Sequence, residues 1–270
     1  MKPLRPILIL VVLWVPLVIG PVSAQDKASN HQTPKLSIIH FDQVEPAMAE
    51  QYEDAVRGFV EAFRQARLGP EWSWSTSSSP EFTYVLGFPL KSYAELDREA
   101  EQEKQLEAAI GKAKLDELDK KAAAAIRTHH SAISQLVAEW SYSPEKSALT
   151  KLVPGYLHIE VEWVKPGMME QYKQVIKQFR DALVKIKHPF GYEAHRVAFG
   201  EPSYVYVWAA DSAEQFYQGN KIDQMMTQAL GKEAADKLYK QWRECLWKYE
   251  TTEAQPRPDL SYLPAMPTTK

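Results

Sequence analysis

The stretch Val44-Glu45-Pro46-Ala47-Met48-Ala49-Glu50-Gln51-Tyr52 returns as Val164-Lys165-Pro166-Gly167-Met168-Met169-Glu170-Gln171-Tyr172, an offset of 120 residues. The same offset pairs Phe59 with Phe179, Ser92 with Ser212, Asp116 with Asp236 and Leu118 with Leu238. It also pairs Ala109-Ile110-Gly111-Lys112 with Ala229-Leu230-Gly231-Lys232, and Ser141-Tyr142-Ser143-Pro144 with Ser261-Tyr262-Leu263-Pro264. Solenoid repeats have periods of roughly 20–50 residues, so an offset this long implies a duplicated domain.

Each copy has the same predicted order of elements. In the first, residues 36–43 alternate as a strand. Residues 46–67 form a helix, with Met48, Tyr52, Val56, Phe59 and Phe63 at the spacing of one buried face. Short strands follow at 72–75 and 82–88, then a helical region at 92–127 that breaks at Gly111, and an extended segment at 131–142. The second copy repeats this with strands at 156–163, 192–199 and 203–209, helices at 166–187 and 212–246 broken at Gly231, and a partly extended end. The order β-α-β-β-α-β is that of a ferredoxin-like unit. The expected domains are a signal peptide at 1–24, a disordered leader at 25–35, repeats at 36–143 and 155–262, a linker at 144–154 and a tail at 263–270.

The first residues read as a targeting segment. Lys2 and Arg5 precede an apolar run from Ile7 to Ile19, and Val22-Ser23-Ala24 is a small-x-small cleavage site. The run is shorter than the roughly 20 residues that span a bilayer. A secreted or periplasmic location with cleavage after Ala24 is therefore expected, with no membrane attachment afterwards. Removing Lys2 and Arg5 leaves 30 basic against 35 acidic side chains, a net of −5 that offers no footprint for nucleic acid. Cys245 is the single cysteine, so no internal disulfide holds the chain, and its apolar neighbours predict a buried thiol.

Element order and duplication over residues 36–262 resemble the dimeric α+β barrel superfamily, fused in tandem. Antibiotic-biosynthesis-monooxygenase-like, NIPSNAP-like and chlorite-dismutase-like proteins belong to it. The resemblance implies an α+β fold in which two tandem ferredoxin-like βαββαβ repeats form an intramolecular barrel, with helices outside and ligands within. It rests on no catalytic motif, so for function it is fold analogy. Haem, which chlorite-dismutase-like members hold on a helix-borne histidine, would have to use His188, at the very end of a helix, and is disfavoured; no cofactor is expected.

Side chains alternate along a strand. The apolar set Leu157, Ile159, Val161 and Trp163 is expected under the helices, leaving His158, Glu160 and Glu162 inward, with His40 in the first copy. Tyr204, Tyr206 and Trp208 are likewise expected inward, as are Tyr84, Trp72, Trp74 and Arg196, although the register of the second strands stays open. Such a mix of aromatic and convergent polar groups suits a small, partly aromatic or apolar ligand. A histidine–carboxylate set also suits a metal, but no recognised ligand spacing is present and none is expected. His129-His130 read as a solvated junction, and Tyr52 and Tyr172 as core.

Two function classes follow, with a third that needs no ligand. One is an exported small-molecule-binding protein whose pocket lies between the repeats. Another is a cofactor-independent oxygenase or isomerase, with His158 or His40 as general base and Arg196 or a tyrosine stabilising an enolate-like anion. The third is a structural scaffold or oligomerisation module, for which a homo-oligomer would suffice.

Overall fold

A computed structural model describes residues 35–198 and 203–264, with backbone alone over 98–103. The targeting segment, most of the leader, the turn Gly200-Glu201-Pro202 and most of the tail lie outside the described residues. The fold is mixed α and β with antiparallel strand pairs. Among the described residues no helix is long and apolar enough to cross a membrane.

The chain divides into two compact units. One is formed by the described residues of Pro34–Ile133 with Arg257–Lys270, the other by those of Ser134–Pro256. The expected repeats therefore differ from the units in their last segments: residues 134–143 belong to the second unit and 257–262 to the first.

In the first unit β1 (Leu36–Val44) pairs with β3 (Thr83–Leu90), and β3 with β2 (Ser75–Ser78). The part of β4 (Ile126–Leu136) in this unit runs beside β1, where His130 stacks on Phe41 with ring centroids 4.5 Å apart. Helix α1 (Ala49–Gln65) buries Tyr52, Val56, Phe59, Val60 and Phe63, as its 3–4 periodicity requires. Helices α2 (Glu99–Ile110) and α3 (Lys112–Ala123) are separated at Gly111, whose φ of 81° excludes a continuous helix. Gly58 lets α3 approach α1: a Cβ there would stand 2.5 Å from Leu118 Cδ2. The C-terminal segment closes the core, with Trp74 Nε1 donating to the Leu260 carbonyl at 2.8 Å and Trp74 bridging to Tyr262.

In the second unit β5 (Tyr156–Val164) lies between β8 (Leu246–Pro256) and β7 (Ser203–Ala210). Strand β6 (Tyr192–Val197) pairs with β7 and with the end of β4. Helices α4 (Met169–Ile186), α5 (Ala213–Gly219), α6 (Ile222–Leu230) and α7 (Lys232–Cys245) cover the sheet, α6 and α7 parting at Gly231 with φ 82°. Cys245 is fully buried. At the offset of 120, β1, β3 and β4 coincide with β5, β7 and β8 residue for residue.

The sheet faces are the reverse of the expected ones. Tyr156, His158, Glu160, Glu162 and Val164 point toward the helices, as do Tyr204, Tyr206 and Trp208, and the partly exposed Leu157, Ile159, Val161 and Trp163 take the other face. Alternation tells which residues share a face, not which face meets the helices. Here the gap of roughly 10 Å between layers is filled by the larger rings, and the polar residues in register with them go along. His129 and His130 also depart from expectation: they lie in β4, not in a loop, because the alternating pattern begins as soon as the alanine-rich helix ends at Ala123.

Candidate functional site

The second unit gathers most of the expected residues on one surface. His158, Glu160 and Glu162 follow one another on the helix-facing side of β5, and their cross-strand partners on β7 are Trp208, Tyr206 and Tyr204. Glu162 is 3% exposed. Its Oε2 accepts from the Tyr172 hydroxyl of α4 at 2.6 Å, and its Oε1 from Trp242 Nε1 of α7 at 3.0 Å. The Tyr206 and Tyr172 hydroxyls are 2.7 Å apart, so tyrosine, tyrosine and carboxyl form one chain. Burial pushes the Glu162 carboxyl up to about 8, and the nearby Glu160 adds to this against the two donated hydrogen bonds.

His158 stands at the other end of this row. Its ring stacks on Phe216 of α5 at 5.0 Å, and its Nε2 lies 3.5 Å from Glu160 Oε1. Its Nδ1 is buried without a hydrogen-bond partner, and so is Nε1 of the cross-strand Trp208. His158 and Trp208 are cross-strand partners, so adjacent strands each carry a buried ring nitrogen without a partner. Leaving such groups unpaired costs about 1–3 kcal/mol each. Tyr192 packs on Trp208 at 4.6 Å and completes an apolar surround.

Other expected residues do not join this surface. Arg196 is cross-strand from Tyr204 but exposed, and it donates to Gln135 Oε1 at 2.5 Å, too far along the sheet to serve His158. The Tyr204 hydroxyl is engaged by Met169 Sδ at 3.2 Å. His40, Tyr84, Trp72 and Trp74 belong to the first unit. There Trp72 and Trp74 are core residues edge-on to Phe63, and the Tyr84 hydroxyl donates to Glu53 at 2.7 Å.

The first unit holds its own polar row. Asp42, fully buried, accepts from the Tyr52 hydroxyl at 2.6 Å and is 2.5 Å from His129 Nδ1. His129 Nε2 is 3.2 Å from Ser131 Oγ, which is 2.7 Å from His40 Nδ1. Burial, and next the neighbouring His129, lower His40 to about 4, whereas the hydrogen bond to Asp42 raises His129. Tyr172 is core, as expected, but its bond to Glu162 was not foreseen, and neither were the roles of Trp242, His129 and Ser131. One signal was present: an acid at 42 and 162 and a tyrosine at 52 and 172 recur together at the offset of 120.

His188, the residue that a helix-borne haem ligand would require, is fully buried, with Nδ1 3.0 Å from the Phe190 carbonyl and Nε2 3.2 Å from Asn220 Oδ1. Both ring nitrogens are engaged, so it does not fit an axial ligand. Among the described residues no group of three histidine, cysteine or carboxylate side chains is placed to hold a metal ion.

No protein-family profile matches the sequence. No curated protein matches it either. Solved structures do. One, from Fusobacterium nucleatum subsp. nucleatum ATCC 25586 and described as a "putative monooxygenase", is 8% identical, with 82% of this chain and 91% of that one covered at a TM-score of 0.51. Another, described as an anthrone oxidase-like protein, is 11% identical, with 87% and 96% covered at a TM-score of 0.51. The chain shares the fold of these proteins.

Proposed function

We propose that this chain is a cofactor-independent enzyme of the oxygenase or isomerase type, acting on a small aromatic carbon acid with His158 as general base. The observation that carries the reading is that His158 Nδ1 and Trp208 Nε1, on cross-strand partners of β5 and β7, are both buried without partners. A substrate C–H beside a carbonyl gives its proton to Nδ1. The carbonyl oxygen, gaining charge, accepts from the indole N–H. Glu160 orients the imidazole and offsets the charge that develops on it. The carbanion is then reprotonated at another carbon, or it reacts with dioxygen to a hydroperoxide that loses water to leave a ketone. Phe216 and Tyr192 supply a dry, aromatic surround. That two proteins of the same fold carry oxygenase and oxidase descriptions suits this reading.

The same proposal takes the two units as tandem ferredoxin-like copies, which the coincidence of strand bounds at an offset of 120 supports. It also takes the chain as exported, for which residues 1–24 speak.

Anthrone is a suitable probe, since its acidic methylene and carbonyl match the two bare groups. Incubated aerobically, the protein should consume one dioxygen per anthraquinone formed. Trp208→Phe should lower kcat roughly 10–100-fold with little change in KM, the pattern of a donor used only in the transition state. Saturable binding with neither proton loss nor product, in anthrone and in related carbon acids, would instead favour a carrier.

A further inference from the structure

We propose that Asp42, His129 and Ser131 form a second reactive centre, in the first unit, in which Ser131 Oγ is a nucleophile toward small activated esters. This does not rest on the reading of His158. His129 and Ser131 are alternate residues of β4 and so share a face, and Asp42 lies on the neighbouring β1. Asp42 Oδ1 holds His129 Nδ1 at 2.5 Å, which fixes the tautomer and leaves Nε2 as the basic nitrogen, 3.2 Å from Ser131 Oγ. Buried acid, bridging imidazole and hydroxyl are the three roles of an activated serine, recognised by geometry and not by chain order. Exposure grades along the row, from Asp42 at 0% to an exposed Ser131, as access by a substrate requires. Tyr52 satisfies the second oxygen of Asp42, so the carboxylate has its donors without drawing on Ser131.

His40 acts as a positioning residue. Burial keeps its ring neutral, and its Nδ1 at 2.7 Å donates to Ser131 Oγ while the hydroxyl proton points at His129. At the offset of 120 the same places hold Glu160, Glu162, Tyr249 and Thr251, so none of them is a histidine.

The step is acyl transfer. Ser131 Oγ bonds to the ester carbonyl carbon as its proton passes to His129 Nε2, and the carbonyl π pair moves to oxygen. Collapse breaks the bond to the leaving alcohol, which takes the proton from His129. Water repeats the sequence on the acyl-serine, releasing a carboxylic acid and restoring the hydroxyl.

The test uses the full chain and an ethoxy fluorophosphonate probe at pH 8, read by intact mass and peptide mapping. One adduct per chain is expected, on Ser131, with none there in Ser131→Ala, whose exposed side chain leaves the core untouched. His129→Gln, shown folded by its near-ultraviolet dichroism, should slow labelling at least about 100-fold. No adduct at Ser131 in the wild type overturns the proposal. So does wild-type labelling of Ser131 in folded His129→Gln, which would reduce the row to a structural hydrogen-bond chain.

Discussion

The Tyr172 hydroxyl donates to Glu162 Oε2 at 2.6 Å, and 120 residues earlier the Tyr52 hydroxyl donates to Asp42 Oδ2 at the same distance. Each unit thus fastens its first helix to its first strand through a buried acid. Removing one donor leaves a buried carboxyl oxygen short of a partner, whose desolvation is no longer offset. Tyr172→Phe should cost about 1–3 kcal/mol in urea unfolding, and Tyr52→Phe a similar amount. A loss below the scatter of the measurement in both would mean that these bonds contribute nothing net.

Glu162 makes the pH dependence of the second unit predictable. Its folded value near 8 lies above the ordinary 4.5, so the native state binds the proton more tightly than the unfolded chain. The stability this gives is fully present below about pH 4.5 and is lost as pH rises toward 8. Thermal unfolding of Glu162→Gln should match the wild type near pH 5 and exceed it progressively up to pH 8. Parallel curves would show that Glu162 is ionised throughout.

His129 obeys the same sign. Its pairing with Asp42 raises the folded value above 6.5, so its contribution is complete below 6.5 and falls away as pH rises through the folded value. The imidazole carbon protons, followed by NMR, should titrate above 6.5 in the wild type and shift back toward it in Asp42→Asn. Titration at or below the ordinary value in the wild type would contradict the ion pair.

Glu53 behaves oppositely. Arg257 donates to its two oxygens at 2.5 and 2.8 Å and holds the carboxyl down near 2. That contribution is present above about 4.5 and lost as pH falls toward 2. Arg257→Ala should cost about 1–2 kcal/mol at pH 7 in chemical unfolding, and the difference should shrink below pH 3. A constant difference down to pH 2 would assign the cost to lost packing.

The amphipathic helices and the breaks at Gly111 and Gly231 were legible because each is a local pattern: a 3–4 spacing, a glycine between helices. Which residues shared a strand face was legible too, since His158, Glu160 and Glu162 do stand together. Which face met the helices was not, because β5 is apolar on one side and aromatic-polar on the other, and both can form a core once the polar groups find partners. Those partners, Tyr172 and Trp242, come from helices that no strand pattern locates. Arg196 failed for a related reason: its parity was right, but its position near the end of β6 leaves it in solvent with Gln135.

The proton abstraction proposed for His158 can be followed apart from any later chemistry, as deuterium uptake from heavy water into the methylene of anthrone under nitrogen. Exchange should saturate with anthrone concentration, rise above the buffer rate and fall roughly 100- to 10,000-fold in folded His158→Gln. Exchange no faster than buffer, or equally fast in that variant, would contradict the assignment of His158 as the base.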